Sequence, residues 1–390
     1  MAAVVELDAG THSLRAAVVT PSRPWIPVAA PVLAGNEEAY VLDCLRTTWI
    51  SSHGEYIGRF EETFGRFCGA RHALACSNGT VALHLALLAL GVGPGDEVLI
   101  PTMTFVATAN AVRYCGARPV PVDIDPHTWN LDTGQLEASI TRRTVGIIVV
   151  HLYGHPVDMD AVLAVARRRR LFVVEDAAEA HGAQYRGRPV GALADVGTFS
   201  FYGNKIVTTG EGGMVVTNDG GLAEKVRRLK GQGMDPERRY WFPTIGYNYR
   251  MTNVAAAIGL AQMEKVDWHL RRRREVATWY QQDLAGLPGI GWQVEQPWAR
   301  HAYWMFTILV DDTIADRDEL MARLRDAGIE TRPVFYPVHI LPPHRKATVG
   351  RALPVAERIA RCGLSLPTWA GLSRDDVRYV AEALRGALRV

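Results

Sequence analysis

Four short apolar runs, EVLIP, RPVPVDI, VGIIVVH and LFVVED, are separated by stretches with helical spacing, and they restrict this 390-residue chain to few architectures. Strands that are apolar at nearly every position are buried on both faces, and the intervening helices supply the two covering layers. The sequence therefore predicts an α/β fold on a mainly parallel sheet. No GxGxxG follows any of these strands, so a dinucleotide-binding domain has little support. In open sheets of this kind a ligand lies beyond the carboxyl ends of the strands, where polar residues interrupt the apolar runs.

Two such ends carry the chemistry. LFVVED closes on Glu175 and Asp176, and GTFSF runs into FSFYGNKIVTTGEGG, which sets Lys205 on a short turn flanked by Ser200, Thr208, Thr209 and several glycines. A lysine so placed can form a Schiff base with an aldehyde while small polar groups hold a phosphate. An aspartate at the end of a buried strand can pair with a protonated pyridine nitrogen and keep the ring electron-withdrawing. Taken singly, a lysine beside a glycine-rich loop is more often a solvated surface group and a strand-end aspartate more often a helix cap. The joint pattern is the specific signal, and it suits pyridoxal 5'-phosphate. Upstream, SNGT opens a helix from about Val81 to Leu90. The N–H groups of a helix N-terminus form an anion site, so Gly79 and Thr80 are candidates for the phosphate, with Asn78 or Thr80 also capping the helix.

The chain is long enough for two domains. Its formal charge of +2 gives no nucleic-acid footprint, and the runs Arg167 to Arg170 and Arg271 to Arg274 read as solvated helix surface. Cys44, Cys68, Cys76, Cys115 and Cys362 show no CxxC spacing, and read as reduced thiols with no metal site. No apolar run is long enough for a membrane helix, and the first two dozen residues lack the order of a signal peptide, so a cytoplasmic location is expected. Residues 1–25 read as an extension, a strand, a tail or a misassigned start. A large domain is expected over 26–266, and a smaller α+β domain over 267–390.

The resemblance to a known family is carried by WISSHGEYIGRFEETF, SNGTVALHLAL, GDEVLIPTMTFVATANAV, VDIDPHTWNLD, HLYGHPVDMD, VVEDAAEAHGA, FSFYGNKIVTTGEGG, GYNYRMTN and RPVFYPVH. From about Pro27 to the C-terminus the chain resembles the DegT/DnrJ/EryC1/StrS sugar aminotransferases, a branch of the fold type I pyridoxal phosphate enzymes. WISS, FSFYGNK and TTGEGGM are most similar to the perosamine-synthase branch, which aminates C4 of a GDP-linked 4-keto-6-deoxy sugar. The resemblance implies a seven-stranded, mainly parallel sheet sandwiched by helices, and a homodimer with shared active sites.

It also assigns roles. Lys205 is implied as the catalytic lysine that holds the cofactor at rest and shuttles a proton once displaced. Asp176 faces the pyridine nitrogen, Phe105 stacks on the ring, Ser200 contacts the phosphate with Gly79 and Thr80, and Asn248 reaches the phosphate of the neighbouring subunit. Many relatives read EDAAQAHG and use the glutamine on the cofactor's phenolic oxygen. Here the position is Glu179, and a carboxylate beside a phenolate repels it unless one of them carries a proton. His181 reads as structural. Trp49 with Ser51 and Ser52, His151, Tyr153, Arg332, Tyr336 and His339 are implied as substrate-wall residues.

A family offshoot that dehydrates sugars has histidine at the lysine position, so Lys205 favours amination. The expected reaction moves an amino group from L-glutamate to the keto carbon, C4, of a GDP- or dTDP-linked 4-keto deoxy sugar, for amino-sugar biosynthesis in a polysaccharide or glycosylated natural product. Two alternatives stay open. A keto-cyclitol or 3-keto-sugar aminotransferase would share every cofactor residue, and a non-catalytic pyridoxal phosphate-binding regulator would predict loss of the lysine or an attached DNA-binding module.

Overall fold

The computed structural model describes residues 4–7, 14–17, 24–345 and 352–388. Seven strands form the central sheet: β1 (His72–Cys76), β2 (Glu97–Pro101), β3 (Arg118–Val122), β4 (Thr144–Val150), β5 (Phe172–Asp176), β6 (Val196–Ser200) and β7 (Gly213–Thr217). Their spatial order is β1-β7-β6-β5-β4-β2-β3. Only β7 runs antiparallel to its neighbours, so the sheet is mainly parallel, as the apolar runs predict.

The period-2 alternation of a strand explains why the runs are apolar throughout. Leu74, Val98, Ile100, Ile148, Val174, Val196 and Val215 point to one face and pack against helices Gly79–Ala89, Ala107–Tyr114 and Gly220–Lys230. Ala75, Leu99, Ile147, Val149, Val173, Phe199, Met214 and Val216 point to the other, against helices Glu55–Cys68, Met159–Arg169 and Asn253–Glu264. Strand β7 and helix Gly220–Lys230 were not foreseen. Between the glycines of GEGGMVVTNDGG only four residues are strand-like, too few for a period to declare itself.

A second sheet has four strands: β8 (Ile290–Trp292), β9 (Phe306–Val310), β10 (Arg332–Pro333) and β11 (Gly363–Leu366), in the order β8-β9-β11-β10. Its core includes Val276, Tyr280 and Leu284 of helix Val266–Leu284, Leu320 and Leu324 of helix Arg317–Asp326, and Val377, Val380 and Leu384 of helix Arg374–Leu388. Ile26 belongs to this cluster too. The Ile26 N–H donates to Gly328 O and the Glu330 N–H to Ile26 O, both at 2.9 Å, while the Val28 N–H reaches Glu330 Oε2 at 3.1 Å. Of the 1–25 extension, strands Val4–Leu7 and Leu14–Ala17 pair antiparallel and residues 24 and 25 are described; the rest lies outside the described residues. The five cysteines are free and buried, and no described helix is long and apolar enough to cross a membrane.

The carboxyl end of β5 is held by a buried carboxylate. Glu175 accepts the N–H groups of Gly191 (2.7 Å), Leu193 (2.7 Å) and Ala194 (2.9 Å), and its Oε2 meets His151 Nε2 at 3.1 Å. One side chain thus fixes the ends of β4 and β5 and the loop leading into β6. Glu175→Ala would strand one buried and two part-buried backbone donors. The expected loss is about 3 to 5 kcal/mol in urea unfolding, and a loss within experimental error would reject this account.

Candidate active site

Beyond the carboxyl ends of β4, β5 and β6 lies a cavity of about 920 Å³. One wall is the start of helix Gly79–Ala89. Asn78 caps it, its Oδ1 accepting the Val81 N–H at 3.0 Å, and the first N–H groups of any helix lack intrahelical partners. Gly79 and Thr80 line the cavity. Two glycines let this turn sit against the sheet. A Cβ on Gly79 would stand 2.6 Å from Ser200 Cβ, and one on Gly213 would stand 2.3 Å from Asn78 O. Such close backbone packing under exposed N–H groups is what a phosphate cradle needs.

At the end of β5, Asp176 is buried. Its Oδ2 accepts Thr108 Oγ1 at 2.8 Å, and its Oδ1 accepts the Ala178 N–H at 3.2 Å. The Thr104 hydroxyl lies 2.8 Å from that of Thr108, which extends the chain. Burial pushes the Asp176 carboxyl up, and the Thr108 hydroxyl, the Ala178 N–H and the Lys205 ammonium pull it back down. A cationic ring nitrogen placed beside it would pull the same way.

Lys205 sits on the turn after β6, where its N–H donates to Tyr202 O at 2.9 Å. The turn is closed by Thr209 N–H to Phe201 O at 2.9 Å and by Thr208 Oγ1 to the same oxygen at 3.0 Å. The lysine points into the cavity with about 11% of its side chain exposed. Burial lowers its pKa, opposed by the Glu179 and Asp176 carboxylates. Glu179 Oε1 stands 4.0 Å from Lys205 Nζ, while Glu179 Oε2 accepts the Tyr153 N–H at 2.7 Å. Burial pushes Glu179 up to about 7.

Tyr153 itself adopts φ 56° and ψ 8°, a left-handed conformation costly for an aromatic residue. The turn is pinned by Asn130 Oδ1 on the Leu152 N–H (3.0 Å), by Glu179 on the Tyr153 N–H, and by the Ala302 N–H on Gly154 O (2.9 Å). Tyr153 thereby faces the cavity, and its hydroxyl accepts the Phe335 N–H at 3.2 Å.

The cavity therefore gathers Gly79, Thr80, Phe105, Tyr153, Asp176, Glu179, Ser200, Lys205 and Arg332. Other expected residues lie outside its lining. His151 is fully buried, with Nε2 on Glu175 and Nδ1 accepting the Val157 N–H at 3.0 Å, which orients it into the protein. His339 is bonded to Thr102 Oγ1 at 2.7 Å and to Glu357 Oε1 at 3.0 Å. Trp49 and Ser51 lend their carbonyls to Asn253, which leaves the Trp49 ring on the surface. Ser52, Tyr336 and Asn248 also lie outside the lining; Tyr336 and Asn248 are exposed, and Asn248 bridges to Gly231. Sequence reasoning missed Thr108 and Trp304. Thr108 reads as part of the helical stretch FVATANAV, and Trp304 as part of the strand run YWMFTILV; the doubled aromatic ahead of β9 was the available signal for Trp304.

The cavity brings together an anion cradle, a buried carboxylate and a lysine, and these residues fit pyridoxal phosphate. The sequence pattern of the DegT/DnrJ/EryC1/StrS aminotransferase family matches residues 31–385. GDP-perosamine synthase of Caulobacter vibrioides is 56% identical over 366 residues, covering 93% of this chain and 98% of that protein. GDP-perosamine synthase of Escherichia coli O157:H7 is 48% identical over 360 residues, covering 92% and 98%. Among solved structures, Streptomyces venezuelae DesV in complex with a ketimine intermediate superposes with a TM-score of 0.86 at 39% identity, covering 91% of this chain and 95% of that one.

The Glu179 carboxyl gives a pH signature. A carboxyl held near 7 when folded and near 4.5 when unfolded stabilises the fold fully below about 4.5, and that contribution is lost as pH rises through about 7. In the cofactor-free protein, Glu179→Gln is therefore expected to gain about 1 to 3 kcal/mol relative to the parent between pH 5 and pH 8. Urea titrations of both proteins at the two pH values check this, and parallel losses would refute it.

Proposed function

Since the chain belongs to the DegT/DnrJ/EryC1/StrS aminotransferase family, we propose that this cavity transfers an amino group from L-glutamate to C4 of a GDP-linked 4-keto-6-deoxy sugar. The chain is an enzyme, a pyridoxal phosphate-dependent sugar transaminase. The observation that carries the reading is that Lys205, the start of helix Gly79–Ala89 and Asp176 line one cavity. The two GDP-perosamine synthases that match nearly the whole chain support the GDP nucleotide and the C4 position.

When bound, pyridoxal phosphate supplies an electron-withdrawing ring that acidifies the C–H beside the substrate nitrogen. The chain supplies the rest. Gly79 and Thr80 present N–H groups to the phosphate, with the Ser200 hydroxyl beside them. Asp176, steadied by Thr108, holds its charge against the ring nitrogen and so preserves the ring's electron demand. Phe105, at the cavity wall, offers an aromatic face.

Lys205 has two duties. As a neutral amine it is the nucleophile that anchors the cofactor, and burial favours that neutral form. With the cofactor bound, Lys205 Nζ would be the group placed to take up and return a proton at the substrate carbon. Glu179 anchors the Tyr153 turn through Oε2 and keeps Oε1 toward the lysine. With its pKa near 7, Glu179 is able to carry a proton and so would sit beside a cofactor phenolic oxygen that an ionised carboxylate would repel. Tyr153 and Arg332 then border the space left for the sugar and its diphosphate.

A second subunit completes this reading. Asn248 faces outward on the segment that also exposes Tyr240, Trp241, Phe242 and Ile245. Apolar exposure on that scale suits an interface between copies of the chain, and supports a reading in which Asn248 contributes to the partner's phosphate site.

In the holoenzyme an absorption band near roughly 410 nm is expected to shift toward roughly 330 nm with L-glutamate, and the GDP-linked 4-keto sugar is expected to restore it. Restoration by a dTDP-linked 3-keto sugar or a keto-cyclitol alone would reassign the substrate. Lys205→Ala should abolish borohydride-dependent attachment of the cofactor. Mixing inactive Lys205→Ala and Asn248→Ala chains should recover about a quarter of parental activity, from mixed dimers with one intact site. No recovery would mean that each subunit is self-sufficient.

A further inference from the structure

Trp304 is tied to Lys205 twice, and neither duty has been assigned to it. Lys205 Nζ lies 3.8 Å from the centroid of its ring. Its Nε1–H donates at 2.8 Å to the carbonyl of Asn204, the residue before the lysine. Three further contacts hold the ring still. The Trp304 N–H donates to Tyr153 O at 2.9 Å, Arg273 Nη1 donates to Trp304 O at 2.8 Å, and the indole stacks on Tyr153 at 6.2 Å with 19° between planes. Tyr153 in turn stacks on Phe335 at 5.4 Å. The Arg273 guanidinium is itself buried and also donates to Thr368 O at 2.9 Å, so the anchor is rigid.

An indole face attracts a cation through the ring quadrupole, more strongly where water is excluded. A neutral amine gains little from the same face. We propose that Trp304 is a positioning residue: its face holds the free, protonated amine of Lys205 at a fixed point in the cavity, and its Nε1–H fixes the turn that carries the lysine. The inference rests on the assignment of Lys205 above.

The charged groups around the amine divide cleanly. Glu179 and Asp176 favour the ammonium, whereas burial and the Arg273 guanidinium oppose it. His181 is kept neutral, chiefly by burial. Trp304 adds to the carboxylates' side without adding a charge. A third carboxylate would hold the ammonium in a tight ion pair, while a ring face holds it weakly enough for the proton to leave.

The test reads the lysine itself, in the full-length chain freed of cofactor. Competitive acetylation with isotopically labelled acetic anhydride, followed by peptide mass spectrometry, gives the pH midpoint at which Lys205 becomes reactive. Trp304→Leu, which removes the face, is expected to shift that midpoint down by about one pH unit. Trp304→Phe, which keeps a face and loses the Nε1–H, should shift it by less than half as much. Fluorinated tryptophan placed at position 304 preserves shape and weakens the face, so it should lower the midpoint stepwise with fluorine number even where the leucine variant does not fold. A midpoint unmoved by fluorination overturns the proposal. The readout involves no cofactor, so it stands apart from the borohydride test of the Lys205 assignment, and failure of one does not mimic failure of the other.

Discussion

Adjacent carboxylates at the end of one strand have opposite fates, and the site depends on that division. Successive side chains on β5 point to opposite faces, so Glu175 turns inward and Asp176 turns to the cavity. Glu175 accepts three backbone N–H groups and meets His151, which fixes the loop into β6. Asp176 keeps an oxygen pair near the cavity because the strand end that carries it cannot move. The order of the two residues matters more than their number: the inner one makes rigid what the outer one uses.

Much of this was legible in the sequence, for a physical reason. A strand buried on both faces must be apolar at every position, so EVLIP and VGIIVVH announce a covered parallel sheet, and any polar residue ending such a run is conspicuous. Asp176 and Lys205 stood out on that ground, and SNGT declared its helix N-terminus through its cap. What stayed hidden depends on distant contacts. His151 looked available in HLYG, but Glu175, 24 residues on, claims its Nε2. Trp304 lies about a hundred residues from the lysine it touches, and nothing local to YWMFTILV records that approach. Strand β7 was hidden for another reason: glycines close its short apolar run at both ends.

The cavity is built from both sheets. The seven-stranded sheet brings the cradle, the carboxylate and the lysine, while Arg332 comes from strand β10 of the four-stranded sheet and Trp304 from the residues just before β9. Tyr153 joins the two groups, its carbonyl held by the Trp304 N–H and its hydroxyl by the Phe335 N–H. Its left-handed backbone is supported by Asn130 and Glu179 on its own side and by Ala302 on the other. The strain at one residue is therefore maintained partly by contacts within its own layer and partly by one that exists only when the two sheets are docked.

The pairing of Ile26 with Ile329 reaches into how the chain is made. Residues emerge from the ribosome in order, and domains tend to form as their parts become available. The strands of the seven-stranded sheet are complete by Thr217, but the core of the four-stranded sheet needs a segment synthesised near the beginning and its partner about three hundred residues later. Ile26 reaches its place in the second core only once residues 328–330 are available, although Val28 packs in the core of the larger sheet. The second core thus joins an early part of the chain to its final third, so its completion waits on residues made near the end of synthesis.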